Sequence, residues 1–598
     1  MKCVSLSIVT RAISAAALIV VVASCATEKE VSRPAETPPA PPPVVKPQPP
    51  PTPPPPKLRV SLQCREDTKE VFNHCGLESL PFARIVFYDI DGDGVDEMVE
   101  GGKGGALRLY KNYGTAEEPE WRQERNYFYG ISAGAFSSPA VGDIDGDGRP
   151  EVIVGTGGFS SDSGRVLIFR NAGTEAEPSW RAVDMPEIRV GNDAAPSLVE
   201  TGKKGRPDLL VGNSEGRLLY YRNRSKDGRI VFRKDPAYFR GVRIGMYAAP
   251  AAFAAGGKAH IVVGNDMGKL YLFEGADGRA GGWSRTTLGI STTGFASPSF
   301  VRLPGADFPD LVVADGTGKF RYFRNRRGSF REWKESGELF SGRVLPGPAC
   351  TPVLGSDGGR LFMTSGNAYG EMKFFAFDTP AEGTVPVERP DYFRGIKLSG
   401  FSKGVLAEWG GGTLLVTGQQ DGLIKAFLNT GSRAGPVWTE EKNFFAGLPK
   451  MMHSSPEVFD LDGDGRWELI VGDVDGRVRG FRYGEADDGA PLWKSIKGVF
   501  DEVRVDRYAS PALFRDGGTV FLLVGRQDGR ISLFTAEGSG PGSTEFQPDG
   551  FLDGIAVKDH SAPSVVDRGG NIGIAVGDYD GNLRHFSCRK VFVPAGGK

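Results

Sequence analysis

Apolar and polar positions alternate in short blocks along nearly the whole chain, in one recurring order. An apolar run is stopped by small residues, a turn ending in Gly follows, and an aromatic-rich run comes next. The unit reads LLVGNSEGRLLYY at Leu209 to Tyr221, IVVGNDMGKLYLF at Ile261 to Phe273 and LIVGDVDGRVRGF at Leu469 to Phe481. Runs of this length, rich in Val, Ile, Leu and aromatics and bounded by Gly turns, predict β-hairpins rather than helices. The turn glycines are Gly105, Gly164, Gly216, Gly268, Gly318, Gly370, Gly422, Gly476, Gly529 and Gly581. They recur about every 53 residues, which marks a repeat architecture.

Four strands can be drawn within a unit. In the second unit they are Ser137 to Ile144, Glu151 to Gly155, Arg165 to Asn171, and a strand after Pro178-Ser179-Trp180. The Pro-x-Trp signal returns at Pro436-Val437-Trp438 and Pro491-Leu492-Trp493. Four antiparallel strands per unit of about 50 residues is the pattern of a β-propeller blade, so the expected fold is all-β.

Three units carry an acidic loop between their first two strands. The first holds Asp89, Asp91, Asp93, Val95 and Glu97. The second holds Asp143, Asp145, Asp147, Arg149 and Glu151, and the third Asp460, Asp462, Asp464, Arg466 and Glu468. Side-chain oxygens at positions 1, 3, 5 and 9, with a backbone carbonyl at 7 and Gly at 6, repeat the first part of an EF-hand loop. Hard oxygen ligands without His or Cys select Ca²⁺ over Zn²⁺ or copper. Four carboxylates within nine residues repel by about 3–4 kcal/mol per pair at an effective dielectric near 20, which a bound divalent cation would offset. The expected role is structural, since such loops join strands on the face opposite the usual ligand mouth. With its D-x-D-G-D-G-x-x-[DE] loop after the first strand, the chain resembles the FG-GAP/VCBS repeat family over roughly residues 60–590. The loop has decayed elsewhere: Glu200 to Asp208 keeps only its ends, and Gly410 to Gly412 keeps nothing.

The ends suggest closure. Aligning Asp89 with Asp460 places Gly76-Leu77 on Gly447-Leu448, so residues 58–80 read as the tail of a blade begun by Ser561 to Cys588. A blade shared by both termini would remove free sheet edges. Cys64 or Cys75 could bridge to Cys588, or Cys64 to Cys75; spacing does not choose. Cys350 reads as a small buried side chain. Uniform spacing without linkers favours one ring of about ten blades over two smaller propellers.

Residues 1–24 read as a signal peptide: Lys2 and Arg11 precede an apolar stretch, Ala15 to Ala23, ending in Val22-Ala23-Ser24-Cys25. That ending resembles the lipobox of bacterial lipoproteins, which implies lipid attachment at Cys25 and anchoring to a membrane. Ala26, where Asp would be the retention signal, points to the outer membrane, on its periplasmic or surface side. Residues 25–57 hold proline runs such as Pro47 to Pro56 and read as an extended stalk. Residues 58–598 form the repeat domain.

One side chain per unit stands three residues before the Pro of the first strand, or its equivalent. These are Phe82, Phe136, Asp193, Tyr247, Phe295, Ala349, Phe401, His453, Tyr508 and His560. Such a column packs the seams between blades or forms a ligand platform, with flat faces for sugar rings. The candidate ligand residues are Asp193, Tyr247, Phe295, Phe401, His453, Tyr508 and His560.

A net charge of −2 gives no electrostatic case for nucleic acid. The five histidines form no HExxH pair, no G-x-S-x-G elbow precedes a helix, and the Gly-rich turns join strands rather than opening helices. The expectation from sequence is therefore a non-catalytic, calcium-stabilised binding module or scaffold with a glycan or protein partner. The alternative is a calcium-dependent polysaccharide-degrading enzyme of lyase type.

Overall fold

The second strand of a unit is buried on both faces, which explains its unbroken apolar run. Asp208–Gly212, Asp310–Ala314 and Glu468–Gly472 are buried at every position. Each sheet is covered by a neighbour on either side, so no polar face is needed. The computed structural model describes residues 58–594 apart from loop stretches such as 159–162, 378–385 and 538–544. The chain divides into Met1–Lys57 and Leu58–Lys598. The signal segment, Cys25 and the Pro-rich tract lie outside the described residues. Among the described residues, no helix is long and apolar enough to cross a membrane.

Among the described residues, the repeats fold into ten antiparallel sheets, nine of four strands and one of five. In the second sheet, Ile188–Gly191 pairs with Gly164–Asn171 beyond the short strand Trp180–Ala182. The tenth sheet runs Leu58–Glu66, Leu583–Pro594, Asn571–Gly577, Ala562–Arg568, so strands from both ends of the described chain share it. Cys64 stands opposite Cys588 in that register, and the two form a disulfide. Cys75 and Cys350 are buried elsewhere.

The innermost strands fall into two closed circuits. In the first, Arg84–Tyr88, Phe136–Gly142, Ala195–Val199, Ala249–Ala255 and Ser297–Val301 pack in turn, and the fifth returns to the first. In the second, Thr351–Asp357, Lys403–Trp409, Ser455–Phe459, Ser510–Asp516 and Ala562–Arg568 do the same. The single ring expected from uniform spacing is thus replaced by two circuits of five. The reason lies in the seams. At Gly212 an added Cβ would meet the Ala248 carbonyl oxygen of the next sheet at 2.1 Å. The same approach recurs where the second circuit closes: a Cβ added at Gly577 would meet the Cys350 oxygen at 2.2 Å. The second circuit's closing seam thus uses the contact of a continuing seam and leaves no mark on the spacing, while the first closes with Ala314 at the equivalent position.

Two connectors join the circuits. Phe72 packs with Val344, Cys350 and Leu354 of the second circuit, whereas Cys75 and Leu77 pack with Ile85, Phe87 and Trp121 of the first. The Val344 N–H donates to the Phe72 carbonyl at 3.0 Å, tying the outgoing connector to the returning one.

Candidate functional site: two aromatic rosettes

Nine of the ten column residues adopt positive φ, from 44° at Phe401 to 58° at Phe82; Phe136 is the exception. Non-Gly residues occupy this region only where the surroundings impose it, at a cost of about 1–3 kcal/mol each. The imposing contact is a latch between neighbouring sheets. Tyr247 N–H donates to the Ser214 carbonyl at 3.0 Å, Tyr508 to Val474 at 3.1 Å and His560 to Gln527 at 2.9 Å. Phe82 donates to Gly316 at 3.2 Å and Ala349 to Tyr579 at 2.7 Å, which are the two closing seams. The latch turns each side chain toward the circuit axis, and all ten are half-buried.

The column therefore forms two rosettes. In the first, Phe82 meets Phe136 at 6.0 Å and Phe295 at 5.1 Å between ring centroids, and Phe295 meets Tyr247 at 5.2 Å. Asp193 supplies the one carboxylate of that set. Burial raises its pKa, against the opposing effects of the Gly158 N–H and Arg84. In the second, Phe401, His453, Tyr508 and His560 follow at 4.9, 5.2 and 4.7 Å. Tyr579, on a hairpin turn, takes the place left by Ala349, lying 5.1 Å from His560 and 6.3 Å from Phe401. These five rings and Lys403 line one cleft.

The second rosette carries the more reactive chemistry. Burial lowers the pKa of both His453 and His560; positive neighbours add to the effect at His453, and at His560 Asp559 opposes it while Lys103 adds to it. Both imidazoles are thus neutral near pH 7. Neither Nδ1 atom, both buried, makes a hydrogen bond, and that of His560 faces the Asp559 carboxylate at 3.9 Å. The Lys403 ammonium donates to the Pro511 carbonyl at 2.7 Å and stands 3.4 Å from Glu457.

The three acidic loops lie away from the rosettes, between first and second strands. Ligand atoms of Asp89, Asp91 and Glu97 lie within 4.8 Å of one another, as do those of Asp143, Asp145 and Glu151, and of Asp460, Asp462 and Asp464. Asp93, Asp147 and Glu468 fall outside these groups. The N–H groups of Val95, Arg149 and Arg466 each donate to the position-5 Asp at 2.8 Å, which shapes the turn. Each position-9 Glu accepts from the backbone N–H of position 2, at 3.0, 3.1 and 2.9 Å. Burial pushes Glu97 and Glu151 up to about 7.

Sequence reading missed a cation that reaches each loop from the third strand. Lys111 pairs with Asp91; Arg170 pairs with Asp145 and, at 3.1 Å, with Glu151. Arg482 pairs with Asp462 at 2.6 Å and Glu468 at 3.1 Å. In the first loop, Asp89 Oδ1 and Asp91 Oδ1 are buried without a hydrogen-bond partner. That loop offers free hard oxygens and fits a divalent cation best.

Residues 89–154, the first two loops and what lies between, match the model of an FG-GAP-like repeat. No curated relative matches the chain. Among solved structures, the chain is similar to an ancestral GH74 enzyme at 11% identity and TM-score 0.48, covering 86% of this chain and 93% of that one. It is also similar to an α-L-arabinofuranosidase of Clostridium thermocellum, at 12% identity and TM-score 0.27, over 38% of this chain and 82% of that one. A third is the catalytic domain of a Coprinopsis cinerea GH62 α-L-arabinofuranosidase, at 14% and 0.29, over 40% and 90%. The neighbours so described are enzymes, whereas the sequence reading expected a non-catalytic scaffold.

Proposed function

We propose that the chain is a polysaccharide-degrading enzyme working at the second rosette, on a frame of two five-bladed propellers. The observation that supports this reading is the trio His453, Tyr508 and His560: two imidazoles whose buried Nδ1 atoms make no hydrogen bond flank a phenol in one cleft. A neutral imidazole is a competent base near pH 7, and a phenol within reach is a competent acid.

The reaction that fits this pair is β-elimination on an acidic polysaccharide. An imidazole nitrogen takes the proton from C5, where the neighbouring carboxylate makes it acidic. The C5 electron pair forms a C4–C5 double bond, the C4–O bond breaks, and the Tyr508 hydroxyl gives its proton to the departing oxygen. Phe401 and Tyr579 offer flat faces against the sugar. Calcium in the acidic loops would hold first and second strands together, away from the chemistry. A lipid on Cys25 would tether the enzyme to the outer membrane through residues 25–57.

The test is digestion of a panel of acidic and neutral polysaccharides, followed by reducing-end release and by the ultraviolet absorbance of the unsaturated product. His453→Ala and Tyr508→Phe should each lower turnover by about 10²–10⁴-fold. No cleavage of any substrate, or cleavage indifferent to both substitutions, overturns the proposal.

A further inference from the structure

Arg84 and Lys403 occupy the same register, opposite Gly101 and Gly418, in one innermost strand of each circuit. The other eight innermost strands carry Ser, Ala or Thr there, from Ser138 opposite Gly155 to Ala562 opposite Gly577. Each circuit thus has one cation at this level of its axis.

The two cations differ in what answers them. Lys403 has the Pro511 carbonyl and Glu457, which stands two residues along the next innermost strand. The matching position in the first circuit is Ala140, opposite Ile153 as Glu457 is opposite Ile470. Among the described residues, Arg84 makes no hydrogen bond or ion pair, and its buried Nη1 is unpartnered. Asp193 is the charge that acts on it, but that carboxylate accepts from the Gly158 N–H and stands too far off to form an ion pair. Burial pushes the Arg84 guanidinium down to about 10. The Arg84 side chain is half-buried, and a guanidinium partly withdrawn from water without a counter-ion carries a cost that a docking oxyanion offsets.

We infer that Arg84 receives a carboxylate of the ligand, making the first rosette a subsite for an acidic (uronate) sugar; this rests on the polysaccharide reading above. The planar guanidinium fork matches a carboxylate in bidentate fashion. Phe82, two residues before Arg84, and Phe136 beside it supply the apolar faces that a sugar ring needs. Lys103, on a turn of the first sheet, lies over Tyr579 of the second rosette, so one oligosaccharide could engage both.

Binding of galacturonate, glucuronate, mannuronate and guluronate oligomers to the full chain, beside neutral xylo-oligosaccharides, tests the inference calorimetrically. At least one acidic oligomer should bind more tightly than the neutral ones, and Arg84→Gln should weaken it by about 10–100-fold while leaving neutral binding unchanged. Arg84→Lys should retain part of the affinity. Asp193→Asn, which removes the like charge beside the incoming carboxylate, should tighten acidic binding and serves should Arg84→Gln fail to fold. Equal loss for acidic and neutral ligands, no acidic preference, or weaker acidic binding in Asp193→Asn overturns it. Arg84-dependent binding without any cleavage sinks only the enzymatic reading; cleavage indifferent to Arg84 sinks only this one.

Discussion

The Lys103 ammonium sits 4.4 Å from the centroid of the Tyr579 ring, so a turn of the first circuit touches the rosette of the second. A cation over an aromatic face contributes about 0.5–2 kcal/mol. Lys103 also helps hold the pKa of His560 down. Lys103→Gln should therefore raise the His560 pKa, as read from imidazole chemical shifts during an NMR titration. A pKa that stays put or falls would show that the two circuits do not communicate here.

Stability should decline as the solution is acidified through the histidine range. His453 and His560 have folded pKa values below the ordinary 6.5, so the unfolded chain takes up protons first. Their contribution is complete above about pH 6.5 and is lost as pH falls toward the folded values. The double variant His453→Phe/His560→Phe should lose less melting temperature between pH 7.5 and pH 5.5 than the parent. An identical loss in both would locate the acid sensitivity elsewhere.

Calcium chelation should lower the melting temperature, by about 2.7 kcal/mol of stability per site filled at one hundred times its dissociation constant. The first loop should dominate, because Asp89 and Asp91 each keep one buried oxygen without a hydrogen bond even though Lys111 pairs with Asp91, whereas Arg170 and Arg482 each hold two carboxylates of the other two loops. Asp89→Asn should remove more of the chelator response than Asp145→Asn or Asp462→Asn, as followed by differential scanning calorimetry.

Breaking the Lys403–Glu457 pair on one side should be expensive. Lys403 is only 1% exposed, and Glu457→Leu or Lys403→Met alone leaves a buried charge without its partner, at about 3–5 kcal/mol. Replacing both, as Lys403→Met/Glu457→Leu, should recover most of that. Chemical denaturation of the four proteins gives the cycle.

The Cys64–Cys588 disulfide joins residues 524 apart in sequence and fastens the strand that completes the tenth sheet. Cys64→Ser should lower stability by about 2–5 kcal/mol, seen as a drop in denaturant midpoint.

Strands and hairpins were legible in the residues because each apolar run is buried on both faces and each Gly turn recurs at one spacing. The number of sheets per circuit was not. Gly577 against Cys350 closes a circuit through the same contact by which Gly212 against Ala248 continues one, and only connectors such as Phe72 and Val344 differ. The column was readable since it precedes the first strand at a constant offset. Tyr579 was missed because it enters the rosette from a turn, outside that offset. Arg84 becomes conspicuous only once the innermost strands are set in register, where it replaces Ser, Ala or Thr. Lys111, Arg170 and Arg482 approach the acidic loops from a strand distant in sequence, so local motif reading could not find them.

Strand Leu58–Glu66 has its partner in Leu583–Pro594, with both circuits lying between them in sequence. During vectorial synthesis the first circuit can close while this strand still waits as an exposed sticky edge. Any chaperone that guards the nascent chain should stay on that segment until the strand Leu583–Pro594 arrives.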